Sequence, residues 1–281
     1  MKKSIFLGGI LIAALSFTSC ESSKNGGDLT INAKVENGAD FNNLVDEVRA
    51  LGGIRVKTWY YEDWDEWYYE WQEVIITSGF YKNGGFKLTL PVKELDIRLL
   101  EDFDHQLQEF GCYIEDMPSK SISISNKNVN AAIVECFEAY KNNEYVDDLL
   151  YGYINYTLAG YNQTFAGYIY VDADVKITGS YTYEDDYYYN EDYTETEKYD
   201  ANLKKGWNTV YMTYEGTAKK EVKTFTTKKP KVDLKWYFEE NIAFYSPENG
   251  NQETVQEVKQ KVVKQKENKH LRGFRSFKLF K

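Results

Sequence analysis

Val175-Lys-Ile-Thr-Gly-Ser-Tyr-Thr-Tyr183 places Val175, Ile177, Tyr181 and Tyr183 on one parity and Lys176, Thr178, Ser180 and Thr182 on the other. A period of two is the signature of a strand with one face buried, because successive side chains of a strand point to opposite faces. Tyr193, Tyr199, Ala201 and Leu203 give the returning strand a matching face, and residues 184–192 form the tip between them. Lys204-Lys-Gly206 reads as the next tight turn, Trp207 to Tyr214 as the next strand, and Lys235 to Phe238 as the last.

The same pattern recurs upstream. Leu29 to Val35 alternates, Val45 to Ala50 is a candidate strand, and Ile54 to Tyr61 with Trp67 to Ser78 suggests a hairpin tipped by residues 62–66. Lys82-Asn-Gly-Gly85 is a strong turn signal, with residues 86–91 as the return. Residues 92–118 are less regular and have room for a short helix, Ile122 and Ile124 mark a short strand, and 131–140 is an apolar run that suits either strand or helix. Twenty-five Tyr, six Trp and fifteen Phe against four Pro and three Met favour strands, since aromatic and β-branched side chains suit a pleated, half-buried surface. The expectation is an all-β chain with two β-sandwich-like domains, residues 29–118 and 119–247.

The two ends carry an address. Lys2 and Lys3 precede an uncharged, mostly apolar run over residues 5–17, shorter than the roughly 20 residues a membrane span needs. Phe17-Thr-Ser-Cys20 then matches a lipoprotein processing site, although Phe17 stands where Leu is common. Residues 1–19 are therefore expected to be a signal peptide, Cys20 the lipid attachment, and 20–28, rich in Ser, Asn and Gly, a flexible tether. Several acyl chains hold a protein far more firmly than the single chain that gives only reversible binding. The expected location is exported and membrane-anchored, at the outer membrane with display at the cell surface, and export argues against nucleic acid as a partner. At the other end, residues 259–281 hold nine Lys or Arg against the single acid Glu267, a net of +8, which leaves −18 on residues 1–258 of a chain whose total is −10. Residues 248–281 thus form a basic tail that can run as a helix, either solvated or docked on an anionic face.

Several motifs together carry a family resemblance. Asn37-Gly38 with Val45-Asp-Glu-Val48, Asn83-Gly-Gly-Phe-Lys-Leu-Thr-Leu-Pro91, Ile169-Tyr-Val-Asp-Ala-Asp-Val-Lys-Ile-Thr-Gly179 and Asn202-Leu-Lys-Lys-Gly-Trp-Asn208 resemble a group of uncharacterised lipoproteins of the Bacteroidota. The first part is also similar to carboxypeptidase-regulatory or transthyretin-like β-sandwich modules. The resemblance spans roughly residues 1–240 and rests on turns and strand alternation, so it implies fold and address but no activity.

Chemistry has few footholds. The two histidines, His105 and His270, leave little room for a histidine-based site, and metalloprotease, nucleophile-elbow, phosphate-loop and Cys-x-x-Cys motifs are all missing, so neither catalysis nor a cofactor or bound metal is expected. A Cys112–His105 dyad rests only on proximity in sequence. Cys112 and Cys136 could pair as a disulfide in an exported protein, though spacing alone does not decide it. Two hairpin tips are more telling. One sets Glu62, Asp63, Asp65 and Glu66 around Trp64, flanked by Trp59, Trp67 and Trp71; the other sets Asp185, Asp186, Glu191 and Asp192 around Tyr187, Tyr188 and Tyr189. Aromatic faces stack on sugar C–H groups and carboxylates accept from hydroxyls, so these tips are the candidate ligand-binding residues for carbohydrate or an envelope protein. The competing reading makes the aromatics cross-strand pairs and the acids charges that protect hairpin ends. The rival class is a glycoside hydrolase using two carboxylates held about 5 to 10 Å apart. Calcium is a further option for clustered acids, but neither tip carries the Asp-x-Asp-x-Asp-Gly loop.

Overall fold

The computed structural model describes residues 19–21, 27–59, 67–109, 112, 121–157, 160–185, 193–217 and 219–239. In chain order the strands are β1 (Ser19–Glu21), β2 (Leu29–Lys34), β3 (Glu47–Trp59), β4 (Trp67–Phe80), β5 (Gly85–Leu90) and β6 (Glu101–Asp102). The one α-helix among the described residues, α1 (Phe103–Glu109), follows, then β7 (Ile122–Ile124), β8 (Asn130–Ile133), β9 (Cys136–Lys141), β10 (Glu144–Thr157) and β11 (Gly160–Val171). The last are β12 (Val175–Asp185), β13 (Tyr193–Leu203), β14 (Gly206–Thr217), β15 (Lys220–Thr226) and β16 (Lys235–Phe238). The chain is predominantly β, as its alternation and aromatic content require.

Two sheets result. The small one has the order β1-β2-β5, and the large one runs β4-β3-β9-β10-β11-β14-β15-β13-β12-β7, with β6, β8 and β16 attached to it. Leu29 to Lys34 is the strand its alternation announces, but the Asn83-Gly84 turn does more than close a hairpin. Asn83 and Gly84 both take left-handed φ, 56° and 72°, and Lys82 and Gly85 exchange backbone hydrogen bonds of 2.8 and 3.2 Å. That is the geometry for which Asn-Gly is preferred. The chain then leaves β4 after the single bridge Tyr81 to Phe86, and β5 pairs with β2 in the other sheet. The crossing is so close that a Cβ on Gly79 would lie 2.1 Å from the Lys87 carbonyl oxygen.

The expected strands at 45–50 and 54–61 join, over residues 47–59, in one strand, β3, with a register shift against β4 between Ala50 and Leu51; residues 60 and 61 lie outside the described residues. The ambiguous run 131–140 is two strands, bent where Val134 donates to the Tyr168 carbonyl at 3.0 Å and Glu135 donates to the Leu51 carbonyl at 2.9 Å. That bend moves the chain from the β11 ladder to the β3 ladder. Asn142 and Asn143, with φ of 51° and 65°, form a second tight turn that joins β9 to β10. After the Lys204–Gly206 turn, β14 does not pair with β13. Instead β15 lies between them, parallel to β13 and antiparallel to β14.

The apolar side chains form two clusters, but a boundary at residue 118 does not separate them. β3 of the first stretch pairs with β9 of the second, Val48 facing Ala139 and Ala50 facing Phe137. One cluster gathers Leu29, Ile31, Leu88, Leu90, Phe137, Tyr151, Tyr168, Trp207, Tyr211, Trp236 and Phe238; the other gathers Phe103, Leu107, Cys112, Ile133, Ile169, Ile177, Tyr199, Leu203, Val210, Met212 and Phe225. β11 and β14 supply both, Tyr168 and Tyr170 to the first and Ile169 and Val171 to the second. Strands covered on both faces read as continuous apolar runs, and Ala166-Gly-Tyr-Ile-Tyr-Val171 is such a run.

Candidate functional site

The sequence-derived site residues fall on the fold as follows. Cys20 lies in β1, paired in the ladder with Ile31 of β2, so the stretch read as tether begins as a short strand. Trp59 and Trp67 are directly opposite each other at the end of the β3–β4 ladder; Asp63, Trp64 and Asp65 lie outside the described residues. Asp185 is opposite Tyr193 at the end of the β12–β13 ladder, while Asp186, Tyr187, Tyr188 and Tyr189 lie outside the described residues, as does the basic tail. Five strands separate the two hairpins along the large sheet, so the ladder does not make them one platform.

Cys112 and Cys136 form no disulfide. The reason is placement: Cys112 packs in the cluster around α1, β13 and β14, whereas Cys136 starts β9 on the far side of the sheet order, with Leu51 as its ladder partner. Cys112 and His105 have different neighbours. Cys112 neighbours Tyr199 and Glu197, while His105 contacts Arg55 and lies 3.2 Å from the Glu101 carboxylate. Trp71, which flanks the first tip, is engaged by the fold. Its indole donates to Glu135 at 3.2 Å and lies across Gly53, where a Cβ would come within 2.1 Å of the ring.

The described half of the second hairpin carries a polar constellation that continues the tip's composition into the sheet. One row across five strands reads Tyr181, Glu197, Lys223, Tyr214, Gln163; the next reads Tyr183, Glu195, Glu221, Gly216, Tyr161. The row on the other side is Gly179, Tyr199, Phe225, Met212, Phe165, which belongs to the apolar cluster. A single sheet face therefore changes from apolar to charged within one register step. The sequence held the signal: Glu195 and Glu197 share the core-facing parity of Tyr199, Ala201 and Leu203, and Lys223 shares that of Phe225.

Buried charge must be paired and hydrogen-bonded to persist. Lys223 forms an ion pair with Glu195 and lies 3.6 Å from Glu221, with side-chain exposures of 32, 13 and 15 % for Lys223, Glu195 and Glu221. The Tyr161 hydroxyl donates to Glu221, the Tyr183 hydroxyl bonds Glu195, and the Tyr199 hydroxyl donates to Glu197 at 2.5 Å. Burial works to lower the Lys223 pKa, but the hydrogen bond and charge of Glu195, with Tyr183 and Glu221, raise it on balance. Burial raises Glu197, with Glu195 adding to the rise and the Tyr199 hydrogen bond and Lys223 opposing it. It also pushes the Cys112 thiol up to about 12, away from the thiolate a nucleophile needs.

A cavity of about 20 Å³ opens among Cys112, Glu197, Tyr199, Met212, Tyr214 and Lys223. That is room for about one water, far below the several hundred Å³ of a small-molecule pocket. Contact with a larger ligand at this face would therefore fall to the half-buried Tyr181 and Tyr183, whose rings stack at 6.0 Å and 24°. A second acid group lies on β9 and β10, where Glu138 is opposite Asp148. Burial, then Glu239, Glu138 and Asp147, raise Asp148 to about 7, while a hydrogen bond from Tyr145 opposes the rise. Among the described residues no group of His, Cys, Asp and Glu is arranged to hold a metal ion. Comparison of the chain with protein-family models, with curated proteins and with solved structures finds no match.

Proposed function

We propose that this chain is an exported lipoprotein of the cell envelope, held at the outer membrane through acylated Cys20, whose β-rich body of two sandwich-like units is a surface-displayed binding module for carbohydrate. The observation that supports the reading is the stacked pair Tyr181–Tyr183 beside Glu195, Glu197 and Glu221 at the root of a hairpin whose tip sequence, residues 184–192, adds three tyrosines and five acids. Stacked, half-exposed aromatic rings offer an apolar platform, and neighbouring carboxylates accept from hydroxyls.

Two measurements test it. Cys20→Ser should release the protein from the membrane fraction; a variant that stays with the membrane overturns the anchor. On a glycan array the full chain should bind a defined subset of sugars, and replacing Tyr187, Tyr188 and Tyr189 with Ala should remove that binding. A chain that binds no glycan, or a triple variant that binds as the parent does, overturns the ligand class. Turnover of a bound glycan, lost when one acid is replaced by its amide, would move the chain to the hydrolase class.

A further inference from the structure

We infer that the chain's own basic tail, residues 259–281, docks on the outer face of β4, β3, β9 and β10. The ladders define that face. Val48, Ala50, Phe137, Ala139 and Leu149 turn into the first apolar cluster, so the residues that alternate with them lie on the opposite side of the sheet. One row across that side reads Phe80, Glu47, Tyr140, Tyr145, and the next reads Ser78, Arg49, Glu138, Asp148. The third reads Ile75, Leu51, Cys136. Glu73 follows on β4, opposite Gly53, and Glu135 stands directly before β9 with its carboxylate on the Trp71 indole.

The face is acidic and carries exposed apolar side chains. Burial, then the charges of Glu138, Asp148, Glu73 and Glu135, raise the Cys136 thiol, so four carboxylates surround the start of β9. Glu47 and Glu239 add to them, and the base among them is Arg49, held by Glu47 at 2.7 Å and 3.9 Å above the Tyr140 ring. At the margins Arg55, Lys141 and Lys235 each pair with a further acid, Glu101, Asp46 and Glu36. Ile75 and Phe80 are 53 and 86 % exposed. The occupant follows from the path of the chain. β16 pairs with β10 at residues 149–152, and Glu239, directly after it, acts on Asp148, so residue 240 starts out beside this face. Residues 259–281 bring nine Lys or Arg for the carboxylates, and Phe274, Phe277, Leu279 and Phe280 for the exposed apolar side chains. From β10 to β4 is three ladder spacings, about 14 Å, whereas a flexible linker as long as residues 240–258 reaches about 24 Å. Joining tail and face in one chain raises the effective concentration to the millimolar range, so surface ion pairs that are weak one by one suffice together.

The test uses the full chain. A carbodiimide, which joins a carboxylate to an amine in direct contact, should link tail lysines to Glu73, Glu138 or Glu239, read by mass spectrometry of the digest. In an equal mixture of unlabelled and heavy-nitrogen chain, each link should join peptides of the same label. Links from the tail to the acids of the two hairpin tips, links that mix the labels, or no tail links at all each overturn the inference; mixed labels would assign the face to the tail of a second copy. Glu73→Gln with Glu138→Gln should speed tryptic cleavage within residues 259–281 about fivefold at low salt. That ratio should fall towards one at about 1 M salt, where the Debye length is about 3 Å. Cleavage at the parent's rate overturns the inference as well. Glu73 is exposed and the amide at 138 still accepts from the Tyr140 hydroxyl, so the variant's circular dichroism should match the parent's.

Discussion

Asp148→Asn should make this protein more stable, and only above the acid range. Asp148 sits opposite Glu138 on adjacent strands, mostly buried, its backbone N–H donating to Asp147 Oδ1 at 2.8 Å and its own Oδ1 buried without a hydrogen-bond partner. Burial, then the charges of Glu239, Glu138 and Asp147, lift its pKa from 3.8 to about 7. The native state therefore binds this proton more tightly than the unfolded chain does, so stability is fully present below about pH 4 and declines as pH rises through about 7. Three pKa units at about 1.4 kcal/mol each make the ionised form costly by about 4 kcal/mol at pH 8. The neutral, isosteric amide removes that cost. The variant should gain about 3 to 4 kcal/mol at pH 8, or about 10 °C in Tm for a body of this size, and almost nothing at pH 3. Thermal unfolding of parent and variant from pH 3 to 9 measures the gap. A gap that does not widen between pH 4 and 8, or a variant less stable than the parent at pH 8, would refute the reasoning.

Two further substitutions probe the sheet. Lys223→Met removes the cation shared by Glu195 and Glu221 and should cost about 2 to 3 kcal/mol at pH 7 in urea unfolding, less than a fully buried pair because Lys223 keeps 32 % exposure; a cost below about 0.5 kcal/mol would mean the pair is solvent-screened. Gly53→Ala sets a Cβ 2.1 Å from Trp71 Cε2, so the indole must leave its bond to Glu135. A loss of about 1 to 3 kcal/mol with red-shifted tryptophan emission is expected, and an unaltered spectrum would show that the ring never covers the glycine.

Local rules made much of this fold readable. Val175 to Tyr183 and its partner strand follow from period-two alternation, and the turn at Asn83-Gly84 follows from the left-handed φ those residues tolerate. What escaped was non-local. β10 exchanges partners along its length, pairing with β9 at residues 144–149, with β16 at 149–152 and with β11 at 152–157. Nothing in a strand's own periodicity encodes which neighbour it meets. The insertion of β15 between β13 and β14 is of the same kind, since a tight turn at Lys204–Gly206 predicts a hairpin unless a later strand competes for the ladder. The polar rows were half legible. Glu195 and Glu197 on a core-facing parity conflict with burial, and such conflicts mark places where paired charge replaces apolar packing. Their partner Lys223 comes from a strand that sequence periodicity did not reveal, so the pairing itself required the fold.

The hairpin β12–β13 gives the molecule an axis. From Val175 to Asp185 it is eleven residues long, about 36 Å at the rise of a strand. One end lies beside Lys176 and Lys205; the other carries Asp185 toward a tip whose sequence adds Asp186, Glu191 and Asp192. The ribbon is held by the sheet: β13 is flanked by β12 and β15, and the Tyr183–Glu195–Lys223–Glu221–Tyr161 network ties its half nearest the tip to β15 and β11. Placing paired charge there, rather than more apolar surface, keeps the half of the ribbon nearest the tip from exposing a hydrophobic face where the apolar cluster ends. The same network thus explains the tolerance of buried acids on a core-facing parity.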